Sequence, residues 1–204
     1  MTHGPARPTS TRFDMLRTAL IAAAALAAAS APLRAQATST LRAAASGRAS
    51  TEVTVAPPGE NAAGAAMKIS IDHGQPHLRG RRLHEGGLVP LDTIWRTGAN
   101  EATTLVTPLD LTIGGVSVPK GEYTLYTLPS RSGWKLIINR KTRQWGTEYD
   151  ASQDLARVDL RLRTLSEPIE SLTFWLIPAT DAPARGELRL AWGTVEASVP
   201  WSVR

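Results

Sequence analysis

From Met67 onward the chain alternates apolar and polar residues with period two, in short runs bounded by Gly and Pro. Arg157-Val158-Asp159-Leu160-Arg161-Leu162-Arg163 puts its aliphatic side chains on one face and every charge on the other, as a half-buried antiparallel strand requires. Comparable runs cover residues 109–113, 123–128, 134–139, 171–177, 187–192 and 195–203, and two β-like runs, 52–56 and 67–71, flank a soft Pro57–Gly64 loop. Gly114-Gly115, Pro119-Lys120-Gly121, Ser166-Glu167-Pro168 and Gly193-Thr194 read as hairpin-type connections. The best helical candidate is a single turn at 151–155, too short for a crossover. The pattern therefore predicts an all-β, antiparallel sandwich, jelly-roll-like or immunoglobulin-like, with at most short helical turns.

The first forty residues do not fit this pattern. Arg7, Arg12 and Arg17 precede an apolar, alanine-rich run from 18 to 29, the order of a secretory signal. Twelve residues are too few for a bilayer span, which needs about 20. Ala35-Gln36-Ala37 is the favoured cleavage site, because cutting after Ala31 would leave Pro32 at the new N-terminus. The expected organisation is a signal peptide over 1–37, a flexible low-complexity lead-in over 38–50, and one sandwich domain over 51–204. No later apolar run approaches membrane-spanning length, so the expectation is an exported, soluble protein of the periplasm or exterior, without an integral membrane segment.

Composition changes the picture in two respects. The formal charge of +5 falls to +2 once the leader's four arginines and one aspartate are removed, so total charge gives no reason to expect nucleic acid. With no cysteine there is neither a disulfide framework nor a thiol nucleophile, and the sandwich must be held by its core. Six tryptophans lie in or beside the strand runs, where packing is their first role.

The strings Gly80-Arg81-Arg82-Leu83, Gly87-Leu88-Val89-Pro90 and Ile94-Trp95-Arg96-Thr97-Gly98-Ala99-Asn100-Glu101-Ala102-Thr103 carry a resemblance. So do Pro119-Lys120-Gly121-Glu122-Tyr123-Thr124-Leu125-Tyr126 and Gln144-Trp145-Gly146-Thr147-Glu148-Tyr149. From about Glu52 to Arg204 the chain resembles the secreted bacterial family known as domain of unknown function 2911. The resemblance implies an exported, mostly β domain with no assigned activity. Against that family's pattern, His73 and His84 stand where aromatic residues are expected.

His73, His77, His84 and Glu85 within thirteen residues invite a metal reading. Along one strand, however, His73 and His77 would stand about 13 Å apart, and no His-x-His or His-Glu-x-x-His motif is present. Neither a metal nor another cofactor is expected.

The stronger candidate is the polar group Arg79, Arg81, Arg82, Arg96, Asn100, Glu101 and Thr103, with Trp145 nearby for stacking. Arginine forks suit carboxylate, phosphate or sulfate, and an Arg96–Glu101 pair across the Gly98 turn is expected. The competing reading is that Arg96, Asn100 and Glu101 satisfy the backbone of a long loop. Arg131, Lys135, Arg140, Lys141 and Arg143 form a second basic segment, read as an exposed hairpin surface that would make a basic patch if it lay beside residues 79–82. Catalytic templates are absent: no Gly-x-Ser-x-Gly elbow and no phosphate-binding Gly-rich loop occurs. Glu101 as a general base, with Glu148 or Asp150 as a second carboxylate, is the least strained enzymatic reading. The favoured function is a binding or structural module for an anionic or carbohydrate ligand of the cell envelope, ahead of a hydrolase using Glu101 or an accessory protein-interaction domain. Oligomeric state is left open.

Overall fold

The computed structural model describes residues 44–56, 66–180 and 184–204, together with Met1 and Gly4. The leader, the Ala37 cleavage site and the Pro57–Gly64 loop lie outside the described residues, as do 181–183 of the loop before the last strand. Among the described residues no helix is long and apolar enough to cross a membrane.

The described residues form one antiparallel sheet of nine strands: β1 (Ser46–Val55), β2 (Met67–Pro76), β3 (Thr103–Thr107), β4 (Leu111–Ile113), β5 (Val116–Val118), β6 (Gly121–Pro129), β7 (Trp134–Asn139), β8 (Asp154–Pro178) and β9 (Arg185–Val203). Their order is β1-β2-β3-β6-β7-β8-β9-β4-β5, open at β1 and β5. The β4–β5 hairpin leaves the meander to pair β4 with the end of β9, and β6 then returns beside β3. A one-turn 3-10 helix at Ala151–Gln153 falls within the single turn the sequence predicts.

β8 joins the two halves of the sandwich. Its first residues, Asp154 to Leu160, pair with β7, and Arg161 to Pro178 pair with β9. The Arg157–Arg163 alternation holds where the sheet covers the core, with Val158 and Leu160 buried between exposed Arg157 and Asp159. Beyond the bend the halves face each other: the His73 ring of β2 meets Phe174 of β8 at 4.8 Å, edge to face. Trp95, bridged to Thr127 of β6, stacks on Trp192 of β9 at 5.9 Å.

Three expectations are corrected. Ser166-Glu167-Pro168 and Gly193-Thr194 are not hairpins, since β8 and β9 run straight through them. From Thr164↔Val195 to Thr173↔Ala191, β8 advances nine residues while β9 advances four. The surplus is taken up as bulges, and Gly193 supplies a φ of 59° on the shorter side. The lead-in is not flexible throughout: Ser46 to Ser50 already pair with β2, the small side chains having hidden a period-two pattern of exposure. β3, which is not among the strand runs read from the sequence, has Thr103, Leu105 and Thr107 as its inward positions, while its valine, Val106, faces out.

Candidate functional site

The segment from Trp95 to Glu101 organises the candidate site. Trp95 and Thr127 exchange both backbone hydrogen bonds, at 2.8 and 2.9 Å. Thr97 is fully buried at φ 52°, a conformation that a β-branched residue rarely adopts. Its hydroxyl lies 3.1 Å from both Trp95 O and Thr127 Oγ1, and its carbonyl accepts from Thr103 Oγ1 at 2.9 Å. These bonds over-determine the local geometry and hold the strain in place. The loop then passes directly over β2: a Cβ on Gly74 would lie 1.8 Å from the Ala99 carbonyl oxygen. Asn100, at φ 61°, turns the chain into a β-bridge between Glu101 and Trp145, and Gly146 N–H donates to Asn100 O at 2.9 Å.

This bridge partitions the surface. Alternation sends neighbouring side chains to opposite sides, so Asn100 and Gly146 line one cleft while Glu101 and Trp145 line another. The first has a volume of about 430 Å³ and brings together Arg81, Arg96 and Asn100 with Trp95, Tyr126 and Tyr149. Among the described residues no Asp or Glu lines it. Arg96 is half-buried, and its Nε donates to Gly98 O at 3.2 Å, which fixes the fork. Its terminal amino groups have no partner among the described residues. Arg81 is anchored similarly, Nε to Leu78 O at 2.8 Å and one terminal amino group to His77 O at 2.9 Å, and no carboxylate pairs with it among the described residues.

The second cleft, of about 460 Å³, is lined by Arg48, Glu101, Arg143, Gln144 and Trp145. The expected Arg96–Glu101 pair is not formed: with Glu101 on the far side of the bridge, its nearest cation is Arg48, at 3.8 Å. Arg48 also pairs with Asp72, and Arg143 with Glu122 at 3.3 Å. Glu101 is the single acid of this cleft among the described residues. Glu148 instead pairs with Lys141 at 3.6 Å, and Asp150 caps the 3-10 turn, accepting from Ser152 N–H at 2.9 Å. These hydroxyl and amide donors hold the Asp150 carboxyl below its usual range. Neither acid lines the cleft beside Glu101, so the two-carboxylate arrangement of a glycosidase is not assembled there.

Arg79 and Arg82 stand apart from both clefts. Arg79 is exposed at φ 52°, with its backbone N–H on Glu170 Oε1 at 2.8 Å. Arg82, 82% exposed, pairs with Glu85 at 3.2 Å. The second basic segment is largely neutralised, Lys135 by Asp159, Lys141 by Glu148 and Arg143 by Glu122.

The three histidines are held by different partners. His77 Nδ1 lies 2.7 Å from Ser171 Oγ, and His84 Nδ1 lies 3.0 Å from Val89 O with its ring beside Trp134. His73, 2% exposed, meets Leu172 O through Nε2 at 3.2 Å, so that nitrogen carries the hydrogen and buried Nδ1 is an acceptor without a partner. Burial pushes the His73 imidazolium down, and the Arg48 charge adds to the effect against the Leu172 bond. Among the described residues no group of three or more His, Asp or Glu could hold a metal.

Sequence reasoning misses Trp192, Tyr126 and Arg48 as lining residues. The aromatics carry the same signal as core residues, and Arg48 sits in a stretch too rich in small side chains to stand out. Tyr149 lines the first cleft while tied to its rim: its hydroxyl donates to Asp154 Oδ2 at 2.7 Å and accepts from Arg157 at 2.7 Å. Burial first, and then the Asp154 carboxylate, push its phenol up to about 12.

No curated protein and no solved structure matches the chain. A family model does, over residues 58–201, a span that contains the bridge and, Ser46 and Arg48 apart, the residues of both clefts. The resemblance carried by the Trp95–Thr103 string thus extends over most of the chain, which belongs to the family described as protein of unknown function (DUF2911).

Proposed function

We propose that the protein is an exported binding module that holds a small oxyanion-bearing ligand in the Arg81–Arg96 cleft. One observation carries this reading: among the described residues, a half-buried Arg96 fork with unpaired terminal amino groups opens, beside Arg81, into a cleft that no acid lines. An unpaired guanidinium in such a place favours the arrival of a carboxylate, phosphate or sulfate, which it can meet in a bidentate manner. Both forks are fixed by backbone carbonyls before any ligand arrives, which lowers the ordering cost of binding. The volume of about 430 Å³ suits one sugar acid or a ligand of similar size. Export is supported by the leader's arginines and apolar run alone.

The test is calorimetric titration of the protein with inorganic phosphate, sulfate and glucuronate at low and physiological salt. At least one should bind, more weakly as salt rises, and Arg96→Ala should weaken it tenfold or more. Arg96→Lys should not restore binding, because an ammonium lacks the fork. No binding by any of the three anions, or unchanged binding in Arg96→Ala, overturns the proposal.

A further inference from the structure

The clefts on the two sides of the Glu101–Trp145 bridge differ in charge. In the first, two guanidinium groups lack a carboxylate partner among the described residues, whereas in the second each cation has one, Arg48 with Asp72 and Glu101, and Arg143 with Glu122. Cations already paired in this way exert less pull on a small anion than the unpaired forks of the first cleft. The second cleft does have an exposed aromatic: Trp145 is 49% exposed, while Trp95, Trp134, Trp192 and Trp201 are each 6% exposed or less. Leaving an indole half in water forgoes the burial that its size would provide. That exposure is held by the backbone of Trp145, which is fixed on both sides. It bridges Glu101, and its carbonyl accepts from Glu148 N–H at 2.9 Å.

Around the indole stand planar groups that keep spare bonding capacity. Glu101 Oε1 is unpartnered among the described residues, and Arg143 uses one terminal amino group on Glu122. Gln144, which forms part of the wall, is held through its Nε2, whose two hydrogens are shared among Thr124 Oγ1, Tyr126 OH and Lys141 O. An aromatic face bordered by carboxylate and guanidinium groups complements a molecule with an apolar C–H face and a rim of hydroxyls. From this combination we infer that the Trp145 cleft is a second, independent site, which takes a neutral saccharide stacked on the indole with its hydroxyls on Glu101, Arg48 and Arg143.

Tryptophan fluorescence detects binding, because the four indoles named above are buried and only Trp145 and the partly exposed Trp175 meet solvent, and calorimetric titration compares the variants. The protein is titrated with neutral hexasaccharides of glucose in α-1,4 and β-1,4 linkage and of N-acetylglucosamine in β-1,4 linkage. At least one should give a saturable blue shift, and by calorimetric titration its binding should be weakened tenfold or more by Trp145→Ala and less by Trp145→Phe, which keeps a stacking face. Glu101→Gln should weaken it several-fold. Arg96→Ala, the variant that disables the anion cleft, should leave it unchanged, so failure here and failure of the anion proposal are separable. No response to any of the three sugars up to about 10 mM, where a Kd would correspond to roughly −3 kcal/mol, overturns the inference. Undiminished binding in Trp145→Ala does so as well.

Discussion

Replacing His73 by phenylalanine should abolish one component of the acid sensitivity of the fold while costing little at neutral pH. In the native protein the imidazole is neutral, with its Nδ1 buried and unpartnered against the edge of Phe174. The unfolded chain protonates this ring near its ordinary value of about 6.5, whereas the folded one resists, first through burial and then through Arg48. Below 6.5 the unfolded state therefore binds the extra proton. Stability falls as pH drops from there to the depressed folded value, with a limiting slope of about 1.4 kcal/mol per pH unit. The His73→Phe variant would lose the bond to Leu172 O, a cost of about 1 kcal/mol, and its larger ring adds a packing cost of about 1 kcal/mol. Against these, removing an unsatisfied buried acceptor returns about 1–3 kcal/mol, and Leu172 O keeps its bond from Gln75 Nε2 at 3.0 Å. The variant should thus lie within about 1 kcal/mol of the wild type at pH 8, and should overtake it as the pH is lowered. Urea denaturation of both proteins from pH 8 to pH 5 measures this, and in the difference between the two curves the other histidines and the carboxylates cancel. Parallel curves would refute the reasoning, because His73 would then titrate alike in both states.

Gly74→Ala places a Cβ 1.8 Å from Ala99 O and must push the Trp95–Glu101 loop off β2; a loss of about 3 kcal/mol and a fall in Tm of roughly 10 °C are expected. Gly47→Ala, with open space around it and no positive φ, should stay within about 0.5 kcal/mol of the wild type in the same melt. Trp192→Ala removes the stacked partner of Trp95 and should cost about 3–5 kcal/mol by chemical denaturation. Because the Tyr149 phenol is raised to about 12, the unfolded chain loses this proton first. Stability should therefore decline between pH 10 and 12, and less steeply in Tyr149→Phe, as followed by circular dichroism.

Strands whose inner face is aliphatic could be read from the chain. Val158 and Leu160, or Leu136 and Ile138, announce themselves, and the all-β class follows from them. β3 escapes because Thr103 and Thr107 face inward, satisfied by local oxygens rather than by apolar contact, while Val106 faces out. The continuity of β8 through Pro168 escapes for a related reason: a proline with turn formers marks a break in local geometry, and only pairing with β9 shows the break to be a bulge. The candidate site is legible as an inventory but not as an arrangement. Arg81, Arg96 and Asn100 do converge, yet Glu101 and Trp145 fall on the far side of the bridge. That separation depends on Glu101 pairing with a residue forty-four positions away, which local sequence does not encode.

The two long strands also bear on how the protein folds and comes apart. β8 belongs to both halves of the sandwich, paired first with β7 and then with β9, which also holds β4, so the register of one half constrains that of the other. Contacts such as Leu111↔Val203 and His77↔Ser171 link residues far apart in the chain, and chains rich in such distant pairings fold slowly. In the absence of cysteine no crosslink shortens that search. The amide hydrogens along β8 should accordingly exchange with solvent as one block, from the β7-paired start to the β9-paired centre, through a single global opening.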